Sequence, residues 1–222
     1  MSFNDPTLVA RYTDGPPRFV PGFVDMQRMA CVLLAERAPV DARVLVLGAG
    51  GGLELKAFAE RQPGWTFDGV DPSAPMLALA RQTAAGHEAR IRLHEGIIDA
   101  APAGPFDAAA CLLTMHFMAA QARADALRAI HARLRPGSPF VVMHLSAGRD
   151  DADRVRWLAR DAQFAIAGGV EADMARQRLE AMARDLHVLT PAQDEALLHA
   201  AGFGDIGVFY VGGAFRGWIC QA

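Results

Sequence analysis

The sequence has few cysteines and no long apolar runs, and both absences limit what the protein can be. Its three cysteines, Cys31, Cys111 and Cys220, are far apart, odd in number and not spaced like metal ligands. We therefore expect a reduced cytoplasmic protein without a bound metal. No apolar stretch is long enough to span a membrane, and the first residues lack the basic start and apolar core of a signal peptide. We expect no membrane partner.

An excess of positive charge is also absent. The chain has 22 Lys and Arg against 25 Asp and Glu, a net charge of −3, and lysine is nearly missing. A nucleic-acid surface is usually basic, so nucleic acid is not the expected partner, although a local arginine patch could still form. The 222 residues suit one α/β domain. We predict a single domain over 1–222, with an N-terminal lid and helix at 1–40 and a helical insertion at 151–187.

Apolar runs alternate with helical patterns through the first two thirds of the chain. This alternation predicts a parallel sheet covered on both faces by helices. Beyond residue 150 the sequence predicts successive helices and then two β-rich runs around Gly212-Gly213, a hairpin signal. The predicted strands are 43–48, 65–71, 90–95, 106–114 and a fifth after the RPGS turn; the predicted helices are 22–38, 53–61, 74–85, 120–134, 151–167, 171–186 and 191–201.

The first strand runs into a glycine-rich loop in VLVLGAGGGLEL, residues 44–55. Glycines at a strand-to-helix turn let bare backbone approach a ligand. The sequence does not match the dinucleotide-binding motif G-x-G-x-x-G, because the last glycine of the motif, counted from Gly48, would fall on Leu53. The tighter spacing of Gly48, Gly50 and Gly52 suits a nucleoside with an amino-acid tail, such as S-adenosylmethionine (SAM). The alternative is a tight turn with a purely structural role.

An acidic residue ends the second predicted strand, in GVDPSAPML. Asp71 follows the glycine loop by about 20 residues and could accept both hydroxyl groups of a ribose. The alternative is that Asp71 only caps the next helix, for which Ser73 is the better residue.

Several stretches together resemble one family. VLVLGAGGG, GVDPSAPML, FDAAACLLTMHFM, LRPGSPFVVM and AGFGDIGVFY…FRGW follow in the order seen in class I SAM-dependent methyltransferases, over about residues 20–222. The resemblance implies SAM as cofactor and a Rossmann-like, seven-stranded, mostly parallel sheet with an antiparallel last strand. RFVPGFVDMQRMACVLLAER, LTMHFM and the two-helix insertion are similar to the carboxy-SAM synthase branch, which serves tRNA wobble-uridine modification.

The chain departs from the family at two points. The acidic residue usual two positions before the first loop glycine is replaced by Val46, and Glu54 or loop carbonyls could substitute for it. The arginine that holds the extra carboxylate in carboxy-SAM synthases falls on or near Glu180 or Ala181, with arginines close by but out of register: Arg176, Arg178 and Arg184. The second departure favours plain methyl transfer over carboxy-SAM synthesis.

The cofactor is expected to lie along the carboxyl ends of the first four strands. Ile97, Ile98 and Asp99 would face the adenine, with the two isoleucines alternatively serving as core. Leu112 and Leu113 would pass close to the methionine portion. The predicted cofactor contacts are Gly48, Ala49, Gly50, Gly52, Asp71, Pro72, Met76, Ile97, Ile98, Asp99, Leu112 and Leu113.

Methyl transfer from a sulfonium by in-line displacement needs alignment and exclusion of water more than a catalytic triad. His116 and His144 follow the fourth and fifth strands and are the candidate general bases, His116 first; the alternative is packing or hydrogen bonding. A small-molecule acceptor would lie between the N-terminal segment and the inserted helices. Its predicted contacts, which could equally be helix core, are Tyr12, Arg18, Phe19, Phe23, Trp157, Arg160 and Phe164.

Two other classes stay open at this stage. An NAD-dependent oxidoreductase shares the strand, the glycines and the acid, but the missing last glycine and the terminal hairpin count against it. A non-catalytic SAM-binding module is kept open by Val46. The identity of the acceptor and a homodimer are also open.

Overall fold

The computed structural model describes Val9 and residues 12–222. Its centre is a seven-stranded sheet in the order β3-β2-β1-β4-β5-β7-β6. The first five strands pair in parallel, whereas β7 pairs antiparallel with both β5 and β6. The strands are β1 Arg43–Leu47, β2 Thr66–Asp71, β3 Ile91–Glu95, β4 Ala108–Leu112, β5 Pro139–Leu145, β6 Gly204–Gly212 and β7 Phe215–Gln221.

Helices cover both faces of this sheet, as expected for parallel strands joined by crossovers. Short 3-10 turns lie at Tyr12–Asp14, Glu88–Arg90, Ile98–Ala100 and Met115–Phe117. The α-helices are α1 Gly15–Phe19, α2 Phe23–Ala35, α3 Leu53–Arg61, α4 Ala74–Thr83, α5 Ala120–His131, α6 Asp151–Ala167, α7 Ala172–Asp185 and α8 Pro191–Ala200.

The hydrophobic core has two halves, one on each face of the sheet. Val44 and Val46 of β1 point into the half that α2 and α3 cover, and Leu45 and Leu47 point into the half that α5 and α8 cover. This split follows from the alternation of side chains along a strand. All four side chains are fully or nearly fully buried, so β1 is the central strand that places the glycine loop.

The predicted fold class is confirmed, with shifts at the element ends. The fourth strand begins at Ala108 because Phe106 makes only an isolated bridge to Leu134. The helix predicted at 120–134 ends at His131, and the one predicted at 22–38 spans Phe23–Ala35. Of the predicted N-terminal lid, residues 1–8, 10 and 11 lie outside the described part of the chain.

The inserted helices pack at the carboxyl end of β5. Asp150 caps α6 by accepting a hydrogen bond from the Asp153 N–H at 2.8 Å. Ser146, just after β5, forms an isolated parallel bridge with Leu189, which follows the insertion. The insertion therefore leaves and rejoins the fold at the edge of the sheet where ligands bind in open α/β proteins.

None of the helices described is both long and apolar enough to cross a bilayer. The described residues hold no group of three or more metal-ligating side chains. Cys31, Cys111 and Cys220 are free and buried.

Candidate functional site

The glycine loop after β1 needs its glycines for two reasons. Gly48, Gly50 and Gly52 have φ values of 75°, 45° and 80°, a region that favours glycine. A Cβ at Gly48 would also lie 2.0 Å from Oγ1 of Thr114, and one at Gly52 would lie 2.8 Å from Cα of Ala80. The loop thus lies against the segment after β4 on one side and against α4 on the other.

Asp71 at the end of β2 is bound to this loop. Its Oδ2 accepts a hydrogen bond from Gly50 N–H at 3.0 Å, and its Oδ1 accepts one from Ser73 N–H at 2.9 Å. Burial raises the pKa of Asp71, and the two N–H donors oppose that rise. Ser73, not Asp71, caps α4, because its Oγ accepts from Met76 N–H. Each carboxylate oxygen keeps acceptor capacity for a ribose diol.

Glu54 supplies a second acid at the loop. It lies in the first turn of α3 and is buried. Burial raises the pKa of Glu54 to about 8; a hydrogen bond to its own backbone opposes this rise, and the charge of Asp71 adds to it. Val46, by contrast, is fully buried in the core. The structure therefore places an acidic side chain, Glu54, directly after the loop, whereas position 46 carries an apolar core residue.

Tyr12 covers the loop from outside. A Cβ at Gly51 would lie 2.6 Å from Cδ1 of Tyr12, and one at Gly50 would lie 3.3 Å from its Oη. Burial, then the charges of Glu54 and Asp71, raise the pKa of Tyr12. The sequence predicted Tyr12 as an acceptor contact; the structure places it against the glycine loop, beside both acids.

The residues predicted around the adenine are in different surroundings. Ile97 is 62% exposed at the end of β3 and Asp99 is exposed, whereas Ile98 is buried in the core. The core alternative therefore holds for Ile98 but not for Ile97. A large exposed apolar side chain at this edge is suited to cover a flat ring. Of the remaining predicted contacts, Ala49, Met76 and Leu112 are buried and Pro72 is exposed.

Leu113 has an uncommon backbone. Its φ is 57°, in the left-handed region, and its N–H donates to the carbonyl of Met143. A non-glycine residue in this region costs about 1–3 kcal/mol and is typical of functional sites. The strain lies where the methionine portion of the cofactor is expected.

His116 is buried and neutral. Its Nδ1 accepts a hydrogen bond from Leu145 N–H at 3.3 Å. Burial lowers its pKa well below the ordinary value, and electrostatic effects of His144, Arg123 and Arg178 lower it further. Because Nδ1 accepts, the neutral ring carries its proton on Nε2. In this form His116 is a hydrogen-bond donor at Nε2 rather than a base there.

The side chain of His144 lies on the face of the sheet that α5 and α8 cover. Its Nε2 lies 3.2 Å from Oδ2 of Asp194 on α8, and its ring lies 5.6 Å from that of Trp218. Arg123 also pairs with Asp194, and all three charged or titratable side chains are buried. The arrangement joins α5, β5 and α8 and packs His144 against Trp218 and beside Asp194.

The residues predicted to form one acceptor pocket are found in separate places. Phe23 is buried in the core, Arg18 is exposed, and Phe164 is 47% exposed. Phe19 lines a small cavity between α1, α6 and α7, whereas Trp157 and Arg160 line a groove on the outer side of α6.

Two polar side chains that the sequence did not single out as a pair line that small cavity. Asp161 is 8% exposed; its Oδ1 accepts from Ala214 N–H at 3.0 Å, and its Oδ2 has no partner among the described residues. Burial raises the pKa of Asp161 to about 6, against the effects of Ala214 N–H, Arg178 and Arg216. The guanidinium of Arg178 lies 4.1 Å from the ring centre of Phe19.

The structure also distinguishes the three arginines near the insertion. Arg176 and Arg184 are exposed and paired with Asp173 and Asp185. Arg178 instead lines the cavity, and burial lowers its pKa. Its turn toward the interior depends on how α7 packs, and no local sequence signal marks it.

The comparisons with known proteins agree with the fold and the loop. Residues 44–137 match the family described as "Methyltransferase domain". The carboxy-SAM synthase of Chromohalobacter salexigens is 29% identical over 217 residues, covering 93% of this chain and 78% of that protein. The one from Methylococcus capsulatus is 27% identical over 90% of this chain and 84% of its own length.

Solved structures show the same fold. A SAM-dependent methyltransferase from Thermotoga maritima has a TM-score of 0.60 at 17% identity, covering 97% of this chain and 96% of that one. Human N-acetylserotonin methyltransferase in complex with SAM has a TM-score of 0.63 at 19% identity and covers 88% of this chain. This chain spans 51% of the human protein's length. The resemblance inferred from the sequence is confirmed.

Proposed function

We propose that this SAM-dependent methyltransferase moves the sulfonium methyl group to a small-molecule acceptor by in-line displacement. The observation that carries the proposal is the pairing of a bare glycine loop with two acids, Asp71 and Glu54, in a methyltransferase domain. The acids match the two polar ends of SAM, a ribose diol and a methionine ammonium.

The residues present fit that cofactor. Gly48, Gly50 and Gly52 leave backbone open at the loop, and Asp71 has remaining lone pairs for the ribose hydroxyls. Glu54 would become ionised beside the ammonium, because a nearby positive charge lowers a carboxyl pKa. SAM supplies a methyl group on a positively charged sulfur, which is already an activated leaving group.

The acceptor would bind between α1 and the inserted helices. Phe19, Leu158 and Phe215 give this cavity apolar walls, and Asp161 and Arg178 give it two polar groups. The space holds about one water molecule, so Phe19 and the helices must move apart for an acceptor to enter. His116 is not among the residues that line this cavity, so its Nε2–H would donate to the acceptor once the helices have moved apart, while the surrounding apolar residues exclude water.

A second candidate function is synthesis of carboxy-SAM. The observation that favours it is Arg178, an arginine on α7 that lines the cavity although it is out of register with the family's carboxylate-binding arginine. The curated relatives described above carry that activity in their names. A guanidinium in an apolar cavity would bind a carboxylate on the transferred group.

We also propose that residues 1–222 act as a single domain, with the N-terminal segment and 151–187 covering the site. Support comes from the contacts of α1 with both α2 and α6. The free, buried cysteines fit a cytoplasmic location. The pairing of two chains as a homodimer is a further proposal, which the exposed apolar residues of α2, Val24 and Val32, support.

The deciding experiment is mass spectrometry of the small molecules released when freshly purified protein is denatured. SAM or S-adenosylhomocysteine would support methyl transfer, and acceptor screening would follow. Carboxy-SAM would favour the second candidate. Release of neither, together with no rise in melting temperature on adding SAM, would overturn both functions.

A further inference from the structure

A wide groove lies on the outer side of α6, apart from the glycine loop. Its volume is about 740 Å³, and its walls come from the first half of α6, the N-terminus of α8 and the start of β7. A groove of this size suits a small organic ligand. None of the residues that surround the glycine loop, such as Glu54 or Asp71, lines it.

Four arginines line this groove against one acidic residue. Asp153 pairs with Arg149 at 3.3 Å and with Arg156 at 3.0 Å, so its charge is already shared by two guanidinium groups. Arg160 and Arg216 have no carboxylate within 4.0 Å among the residues described. The groove therefore holds an excess of positive charge in a chain whose net charge is −3.

Trp157 holds the two arginines that lack a carboxylate partner. The guanidinium carbon lies 4.6 Å from the indole centre for Arg160 and 5.9 Å for Arg216. Nη1 of Arg216 also donates to the carbonyls of Gly213 and Phe215, at 2.8 and 2.9 Å. Contacts with an aromatic ring and with backbone carbonyls orient a guanidinium without neutralising it, so the charge of Arg160 stays available to a ligand. Arg216 also acts on the Asp161 carboxyl in the neighbouring cavity, but it has no carboxylate partner within ion-pair distance among the described residues.

The N-terminus of α8 completes the groove. Thr190 Oγ1 accepts from Gln193 N–H, and Pro191 has no N–H to offer, so the N–H of Ala192 at the groove wall is not used by the capping box. Helix N-termini carry partial positive charge and bind phosphate groups. Guanidinium groups and a helix N-terminus around one space are the usual surroundings of a phosphate.

The surroundings disfavour a polynucleotide. Asp150 and Asp151 lie at the start of α6 beside Arg149, where they would repel a long polyanion, and Asp151 is almost fully exposed. Asp150 and Asp151 do not line the groove, whereas Arg160 and Arg216 do, so a compact dianion in the groove needs no contact with these two acids. We propose that this groove binds the phosphate group of a small phosphomonoester, with Arg160, Arg216 and the N-terminus of α8 as its ligands.

The groove also shares a wall with the acceptor cavity. Trp157, Arg160 and Arg216 line the groove, and their sequence neighbours Leu158, Asp161 and Phe215 line the cavity. A ligand in the groove is thus one layer of side chains away from the cavity. The binding itself does not depend on methyl transfer and can be measured without it.

The test is isothermal titration calorimetry of the full chain with phenyl phosphate in low-salt buffer at pH 7.5. The expected result is saturable binding that Arg160→Gln weakens about ten- to hundredfold, the usual effect of losing a charge-assisted hydrogen bond. Binding should also weaken toward pH 5, because the second phosphate pKa is near 6. Arg176→Gln, which removes an exposed arginine elsewhere, is the matched control and should bind like the original chain.

Other ligands and a second variant distinguish this proposal from the alternative occupants of the groove. Inorganic phosphate should bind at the same site more weakly, and succinate should not compete. Arg216→Gln, at the other proposed arginine ligand, tests the site again should Arg160→Gln fold poorly, and urea denaturation reports the folding of each variant independently of SAM. Equal binding of succinate, tighter binding of a single-stranded RNA, or phenyl phosphate binding unaffected by both groove variants would overturn the proposal.

Discussion

The backbone N–H of Gly50 lies 3.0 Å from Oδ2 of Asp71, so the loop after β1 is joined directly to the end of β2. This bond fixes the distance between the surface that would hold the amino-acid part of SAM and the carboxylate that would hold its ribose. Two features that stand 21 positions apart in the sequence therefore form one binding edge. The position of Asp71 should therefore matter for SAM binding as well as its charge, because its carboxylate must reach both the loop and a ribose.

Replacing Asp71 with Asn tests that edge. The Asn amide has one acceptor oxygen in place of the two of the carboxylate. That oxygen cannot accept from Gly50 N–H, from Ser73 N–H and from a ribose hydroxyl at the same time. We expect SAM affinity to fall about ten- to hundredfold, measured by calorimetry. Asp99→Asn, at an exposed position, is the control and should change affinity much less. Unchanged affinity in Asp71→Asn would remove the ribose role.

Glu54 should make the stability of the unliganded protein depend on pH. Its pKa in the folded chain is about 8, above the ordinary value of 4.5, so the folded state keeps a proton that the unfolded state releases. The free energy of unfolding should thus decrease by up to a few kcal/mol as pH rises from about 4.5 to 8.

Urea denaturation at several pH values measures this effect, and Glu54→Gln should flatten the decrease. Asp161→Asn is the comparison variant: its pKa of about 6 confines its contribution to the lower part of the range. Adding SAM should oppose the decrease at high pH, because its ammonium stabilises ionised Glu54. A profile that is the same with and without Glu54 would contradict the buried carboxyl.

His116 can be tested against a second histidine. His116→Ala should reduce turnover of the acceptor at least about tenfold, the lower range for loss of one hydrogen bond in a transition state, and leave SAM affinity nearly unchanged. Leu145 N–H loses its partner, so stability should also fall by about 1–3 kcal/mol. His199→Ala, at an exposed position, is the control. Full turnover in His116→Ala would exclude the donor role.

Arg178 and Arg176 form a matched pair on α7. Arg178→Gln should raise the KM of an anionic acceptor about ten- to hundredfold, because its guanidinium is the positive charge that lines the cavity. Arg176→Gln removes the same charge at the surface and should have no such effect. Steady-state kinetics at fixed SAM measures both. Equal effects of the two substitutions would point to net charge rather than to a contact.

The strained backbone at Leu113 predicts which substitutions are tolerated. Asn adopts the left-handed region more readily than other non-glycine residues, so Leu113→Asn should preserve the backbone. Leu113→Val should lower the free energy of unfolding by about 1–3 kcal/mol more, because a branched Cβ is poorly accommodated at that φ. Urea denaturation compares the two. Equal stability would show that the loop relaxes.

Much of the fold could be predicted from local patterns. The helix predicted at 53–61 is observed at those positions, and the strand predicted at 65–71 begins one residue later. Such elements follow from apolar periodicity and from glycine at their ends, both of which are written in adjacent residues. The start of β4 was less predictable, since Phe106 is apolar but pairs with Leu134 outside the sheet.

The sequence by itself determined the glycine loop and the acid at the end of β2, because their spacing along the chain is enough to bring them to one edge of a parallel sheet. Only the tertiary structure decided that Glu54 is buried at the loop, that Arg178 faces the cavity, and that Trp157 and Phe19 lie in different sites. The physical reason is that these placements depend on how α6 and α7 pack against β7 and α1. The sequence of an amphipathic helix indicates its apolar face but not which of its polar residues become buried in that packing.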